Sequence, residues 1–348
     1  MVSWRADIHE LNSGTVKLAS APFQHWNMNW ILNGPGTVEA DMWLKHSSVT
    51  YDNFKPGARE LRIYRDNVLC WGGYIWTARI SRKRQKVRIL AQGYFSRLRR
   101  RILHQGRIRQ DMDTADIAWD LIDWTQTNDG TFNITDGHTD SGFIVDRYYC
   151  KSDKARVGES IQELAEMDNS FDFWITPTIT DSGNKVFKTA VPRRGTDLSG
   201  SISLTGLTLG EDDYEIDAMN LANRLWGEGT GECNPPSFEA TAGASITEYG
   251  ELHDTVEFDD LDHFPSVKAH TREAIRNTKK ARELPTLTLE ERDLTWGAFD
   301  IGDIIEVVRS DGFDSGAKDY RVLTIEYDFI PDNTIAFIRV GVDSVVGA

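Results

Sequence analysis

Turn signals recur through the first hundred residues too closely for helices, and they confine that stretch to antiparallel strands. Asn33-Gly34-Pro35-Gly36 stands between the apolar runs GTVKLASAPFQHWNMNW and VEADMWL. Asn and Gly accept left-handed backbone and Pro cannot extend a ladder, so the stretch reads as strand, turn, strand. The form returns after Glu60, with a strand at LRIYR, a turn at Asp66-Asn67, then VLCWGGYIWTARI and KVRILAQGY. Successive strands with short polar breaks pair antiparallel, as a barrel or sandwich.

The period changes at Asp113. DTADIAWDLIDWTQT opens like a capping box, with Asp113 as N-cap and Asp116 in place of the usual Glu. Ile117, Leu121 and Trp124 at i, i+4 and i+7 then form one buried stripe. A second helix, GESIQELAEMD, puts Ile161, Leu164 and Ala165 on one face, and is followed by FDFWITPTI, a turn at Asp181-Ser182-Gly183-Asn184, and KVFKTAV. Beyond Gly200 come the strands SISLTGLTL and MNLANRLWGEG, separated by a break of acids. A loop of Gly, Pro and small residues leads to a polar helix over Pro265 to Glu283 that Pro285 should close. The strands PTLTLEER, GDIIEVVR, YRVLTIEYDF and TIAFIRVGV finish the chain, broken at SDGFDSGAKD and at Ile330-Pro331-Asp332-Asn333.

The expected fold class is therefore mainly β with α+β insertions: two β-barrel domains and a small α/β domain. The first barrel is set at residues 1–112 and the α/β domain at 113–199. The second barrel takes 200–235 and 285–348, interrupted by a helix-bearing insertion at 236–284. With 348 residues and 40% hydrophobic content, the chain can bury such cores without staples. Cys70, Cys150 and Cys233 are odd in number and far apart, so they read as buried thiols rather than a disulfide framework.

The opening MVSWRADIHELNSG has no apolar signal core and no later stretch approaches a membrane span, so the expectation is cytoplasmic synthesis without a membrane-spanning segment. A net charge of -15 argues against a protein built to grip nucleic acid, since that affinity comes largely from phosphate neutralisation. The charge is uneven. Residues 81–110 hold eleven Lys or Arg and no acid, leaving 28 bases against 54 acids elsewhere. Nucleic-acid binding with Tyr94 and Phe95 as stacking surface, a solvated strand face, and an interface all fit that strip. Self-repulsion on an acidic chain favours the interface, with Arg97, Arg99, Arg100 and Arg101 facing acids of a neighbour.

Catalytic signatures are lacking: no G-x-S-x-G occurs, and nothing singles out Asp120 or Glu166 among so many carboxylates. HDTVEFDDLDH combines His253 and His263 with Asp254, Glu257, Asp259, Asp260 and Asp262. Its spacing fits neither HExxH nor a calcium loop, so a solvated acidic loop is expected, with no metal and no cofactor.

Several words in order over about 330 residues resemble the tail-hub (baseplate hub) minor tail proteins of long-tailed phages, especially those of actinobacterial hosts. They are LNGPGTVEADM, RIYRDNVLCWGGYIWTARI, ILAQGYFSRLRRR, DIAWDLIDWTQT, SIQELAEMDNSFDFWI, ANRLWGEG, SITEYGELH and IGDIIEVV with YRVLTIEYDF. Asn169-Ser170 departs from the Gly usual in the fifth. The resemblance implies tube-type barrels, a homotrimer whose six barrels match six-fold tube rings, and a virion position at the tail tip after assembly in the host cytoplasm. Implied partners are a distal tail protein or tail-tube ring, the tape measure protein and other tip proteins, with DNA passing through unbound. On that reading Glu211, Asp212, Asp213 and Asp217 become candidate channel-lining acids. The alternatives are a tail-associated cell-wall hydrolase and a carbohydrate-binding tip module suggested by the eleven tryptophans.

Overall fold

The structure, a computed structural model, describes residues 3–344 apart from 168–169, 179–183, 206–208, 231–234, 259–260, 262, 290–296, 311–314 and 331–333. Seven strands come first: β1 (Trp4–Glu10), β2 (Val16–Leu18), β3 (His25–Ile31), β4 (Thr37–Trp43), β5 (Arg59–Arg65), β6 (Val68–Ser81) and β7 (Lys86–Gly93). Both expected turns form. Asp66 and Asn67 have φ of 50° and 65°, the successive left-handed residues that suit the twist of the β5–β6 hairpin. Gly36, at φ 59°, closes the β3–β4 turn where a Cβ would collide with the Asn29 carbonyl.

A mixed segment follows: α1 (Phe95–Leu98), β8 (Arg107–Asp113), α2 (Thr114–Asp129), β9 (Ile134–Asp136), β10 (Ile144–Tyr149), α3 (Val157–Ala165), β11 (Asp172–Pro177) and β12 (Lys185–Ala190). Then come β13 (Ser203–Thr205), β14 (Leu209–Asp217), β15 (Arg224–Glu228), β16 (Ser237–Thr241), α4 (Gly243–Tyr249), β17 (His253–Glu257) and α5 (Phe264–Thr278). The last strands are β18 (Arg282–Leu289), β19 (Ile304–Ser310), β20 (Ser315–Ile330) and β21 (Thr334–Ser344). The architecture is mainly β with small α/β additions, as the sequence patterning predicts.

Strands from the two ends of the chain join in one 13-stranded sheet, ordered β14-β18-β21-β20-β3-β4-β7-β6-β5-β1-β2, with β13 and β19 branching from β20. The joint is the antiparallel pairing of β3 with β20, which sets Trp26 opposite Phe329. Their rings stack at 3.7 Å, and Trp4 meets Phe329 edge-on at 4.9 Å. Both halves therefore bury their inward side chains in one continuous core, from Ile8, Met28 and Leu61 to Ile305, Val322 and Val340.

Local pairing corrects several sequence expectations. The α/β unit begins near residue 94 rather than 113, because Phe95, Leu98 and Leu103 pack with the α2 residues Ile117 and Leu121, and β8 pairs with β10. ANRLWGEG, expected in the second barrel, supplies β15 to a separate three-stranded sheet with β16 and β17. A Cβ at Gly227 would collide with Thr271, so α5 lies almost on that strand. Pro285 does not close the helix, which ends at Lys279; it sits inside β18, opposite Tyr214. The acids after residue 209 form strand β14 rather than a break, and the run at 253–257 is β17 rather than a loop. The expected turn at Asp181-Ser182-Gly183 lies outside the described residues.

Candidate functional site

Two sheets meet around a buried charged cluster that no motif signalled. Glu60 on β5 and Lys185 at the head of β12 are both fully buried and lie 3.1 Å apart. The same carboxylate accepts from the Arg62 guanidinium at 3.3 Å, from the Tyr94 hydroxyl at 3.4 Å and from the Asn12 backbone amide at 2.9 Å. Lys185 also donates to the Phe132 carbonyl at 3.0 Å and lies 4.7 Å over the Tyr94 ring. Burial lowers the Lys185 ammonium and outweighs the opposing pull of Glu60, while burial raises the Tyr94 hydroxyl well above its usual value. Ions withdrawn from water this completely fasten two elements together only while each keeps its partners.

A second knot lies at Asp172, also fully buried, on β11. Its carboxylate accepts from the Asn33 side chain at 2.9 Å, from the Arg194 amide at 2.6 Å and from Arg321 on β20. Asn33 in turn accepts from the Phe173 amide at 2.8 Å. The Asn that punctuates the first hairpin thus docks the α/β unit, and Asp172 ties both to the C-terminal strands. Beside this knot is a cavity of about 450 Å³ lined by Trp30, Trp71, Trp174, Tyr94, Tyr327 and Arg194 among others. Its aromatic faces are engaged: Arg194 lies 4.5 Å over Trp174, and Trp30 meets Tyr327 edge-on. Burial pushes the Cys70 thiol at its edge up to about 12, so that sulfur is a poor nucleophile.

The basic strip is dispersed among several elements. Asp41 lies 2.7 Å from Arg88 and 3.8 Å from Lys86, and the Arg88 hydrogen bond lowers its carboxyl. Asp120 takes Arg107 at 2.9 Å and Arg109 at 2.5 Å, and so is a pairing carboxylate rather than a catalytic one. Of the four candidate interface residues, three stack within the chain. Arg97 lies over Tyr74 and Phe132, Arg101 over Phe132, and Arg100 4.3 Å over Trp76. Arg99 and Arg100 are exposed at the end of α1.

The candidate channel acids are brought onto one strand, at one end of the sheet's pairing order. Asp217 is half-buried and its carboxylate accepts from the Met219 amide; the side chains of Glu211, Asp212 and Asp213 lie outside the described set. Lys185 was detectable as the one charged member of a strand face shared with Phe187 and Thr189. Its partner, 125 residues away, was not.

Taken across its full length, the architecture aligns with a tail protein from Neisseria meningitidis MC58 at a TM-score of 0.65, 10% identity, and coverage of 99% of this chain and 97% of that one. It shares its fold with solved phage tail proteins. The prophage MuSo2 43 kDa tail protein from Shewanella oneidensis aligns at a TM-score of 0.65 and 11% identity, covering 97% of this chain and 98% of that one. The Escherichia coli c3393 protein, a component of the type VI secretion system with structural similarity to the T4 bacteriophage tail proteins gp27 and gp5, aligns at 0.50 and 9% identity, over 99% of this chain and 76% of that one. Neither a protein-family model nor a curated protein sequence matches the chain. At such identities the likeness concerns the fold alone.

Proposed function

We propose that the chain is a structural, non-enzymatic hub protein of a phage tail tip, of the kind found in long-tailed phages of actinobacterial hosts. It acts as a homotrimer assembled in the host cytoplasm, closes the tip end of the tail tube and organises the proteins below it. Its neighbours are a distal tail protein or tube ring, the tape measure protein and other tip proteins, and DNA leaves through it without specific binding. The observation that supports this reading is that the likeness to tail proteins covers nearly the whole of both chains. Strands β1–β7 with β13, β14 and β18–β21 supply the tube-type barrels; the α/β unit from about residue 94 and the β15–β17 sheet with α5 are the additions to them.

Contacts within the chain divide the interface roles. Arg97 and Arg101 brace α1 from inside, while exposed Arg99 and Arg100 meet acids of a neighbouring subunit. Strand β14, which carries Glu211, Asp212, Asp213 and Asp217, lines the channel and repels phosphate over about 8 Å at physiological salt. Quantitative mass spectrometry of purified tails tests the proposal. A trimer's worth of wild-type chain per tail is expected, with Arg99→Glu/Arg100→Glu protein folded but missing from tails. A copy number that scales with tail length, or normal incorporation of the double variant, defeats it.

A further inference from the structure

His138 lies between β9 and β10 with its side chain only 8% exposed, among carboxylates from three positions. Asp136 Oδ1 is 2.6 Å from Nδ1. Asp116 Oδ1 is 3.0 Å from Nε2 and Asp140 Oδ1 is 3.6 Å from it. A contact as short as that at Nδ1 places the ring proton there, because a carboxylate only accepts. With Nδ1 committed to Asp136, Nε2 faces two further carboxylates. One ligand atom each from Asp116, His138 and Asp140 thus lies within 4.8 Å of the other two, a spacing that a shared cation can bridge.

We propose that Asp116, His138 and Asp140 bind a divalent metal ion of the zinc class, with Asp136 as the positioning carboxylate behind the histidine. Bond lengths of about 2.0–2.2 Å at roughly tetrahedral angles separate neighbouring donors by a little over 3 Å. The contacts at Nε2 match that spacing. A ligating histidine commonly hands its other N–H to a carboxylate, which fixes the ring and strengthens the ligand, and Asp136 is placed to do this. One imidazole and two carboxylates suit zinc or cobalt better than calcium, which takes oxygen ligands.

The scaffold holds the donors still. The Thr189 hydroxyl engages both the amide and the carbonyl of Thr139 at 2.7 Å. Asp113, the N-cap of α2, accepts from the amides of Ala115, Ser141 and Gly142, locking the 136–142 segment onto the turn that carries Asp116. The bound ion would staple the β9–β10 connection to α2, a structural role independent of the tail assignment.

Full-length protein stripped with a chelator should be titrated with Zn²⁺ by calorimetry and with Co²⁺ by visible absorption. One saturable site per chain is expected. Asp116→Asn/Asp140→Asn should abolish it, and Asp136→Asn should weaken it by about 10–100-fold. Asp140→Asn alone, at a side chain 77% exposed, guards against misfolding of the double variant and should itself weaken binding. Undiminished binding in folded Asp140→Asn protein would place the ion elsewhere. Absence of saturable binding in the wild type would mean that a proton alone holds the cluster. Either result overturns the site.

Discussion

The chain carries two small three-stranded sheets of the same design, fastened to the rest in opposite ways. In each, a central strand has one antiparallel and one parallel neighbour: β12 between β11 and β9, and β15 between β16 and β17. The first sheet is backed by α2 and α3 over a core that includes Leu121, Leu164, Phe171 and Phe187, and is riveted to the large sheet by Glu60–Lys185 and Asp172. The second is backed by α5 over a much smaller cluster of Leu225, Ala240 and Ile275. α5 leans outward as well: Ala269 enters the first unit's core, and Glu273 meets Arg193 at 3.4 Å. Strand order alone therefore does not set rigidity. The first unit behaves as part of the frame, while the second holds its place largely through what α5 borrows from it.

Breaking the rivet should have the largest effect. Glu60→Ala strands Lys185 and Arg62 as buried cations and should cost about 3–5 kcal/mol in urea unfolding. Adding Lys185→Met should return part of that loss, as a double-mutant cycle would show. A cost for Glu60→Ala below about 1 kcal/mol would demote the rivet to an incidental contact.

Core truncation sharpens the contrast next. Leu121→Ala should cost about 2–5 kcal/mol, and Leu225→Ala should fall at the low end of that range because a thin core relaxes around the gap. Hydrogen exchange should show the second sheet opening locally while the first opens only with the whole molecule. Equal protection of β12 and β15 would contradict the comparison.

The most gradual effect is a pH dependence at the contact between the units. His270 on α5 accepts from Arg147 on β10 at 3.2 Å, and burial, helped by that guanidinium, pushes it down to about 3. An unfolded histidine titrates near 6.5, so between those values the unfolded chain holds the extra proton. The contribution is complete above pH 6.5 and should fall by about 1 kcal/mol per pH unit on acidification toward 3. His270→Gln should flatten that slope in urea titrations between pH 7 and 4; an unaltered slope would remove this joint.

Much of this was legible in sequence because its cause is local. Asn33, Asp66 and Asn67 announce their turns through backbone preference, and Asp113 caps its helix as read. Asp116 failed as the capping-box partner because its carboxylate goes to His138 instead. The same limit governs the sites. Arg88 and Arg107 lie in a run without acids, yet their partners Asp41 and Asp120 come from other strands and helices, so a strip along the sequence is no strip in space. Pro285 misled for a related reason: a proline is tolerated in a strand where the fold asks no ladder bond of its nitrogen.

The pairing of β3 with β20 sets a clock on synthesis. Residues 25–31 emerge long before their neighbours at 324–329 are made. Closing so distant a contact is slow, and until then one edge of the early hairpins and part of their apolar face stay uncovered. A chain truncated before residue 324 cannot complete the shared core. Any surface that depends on the finished sheet is thereby withheld from incomplete products.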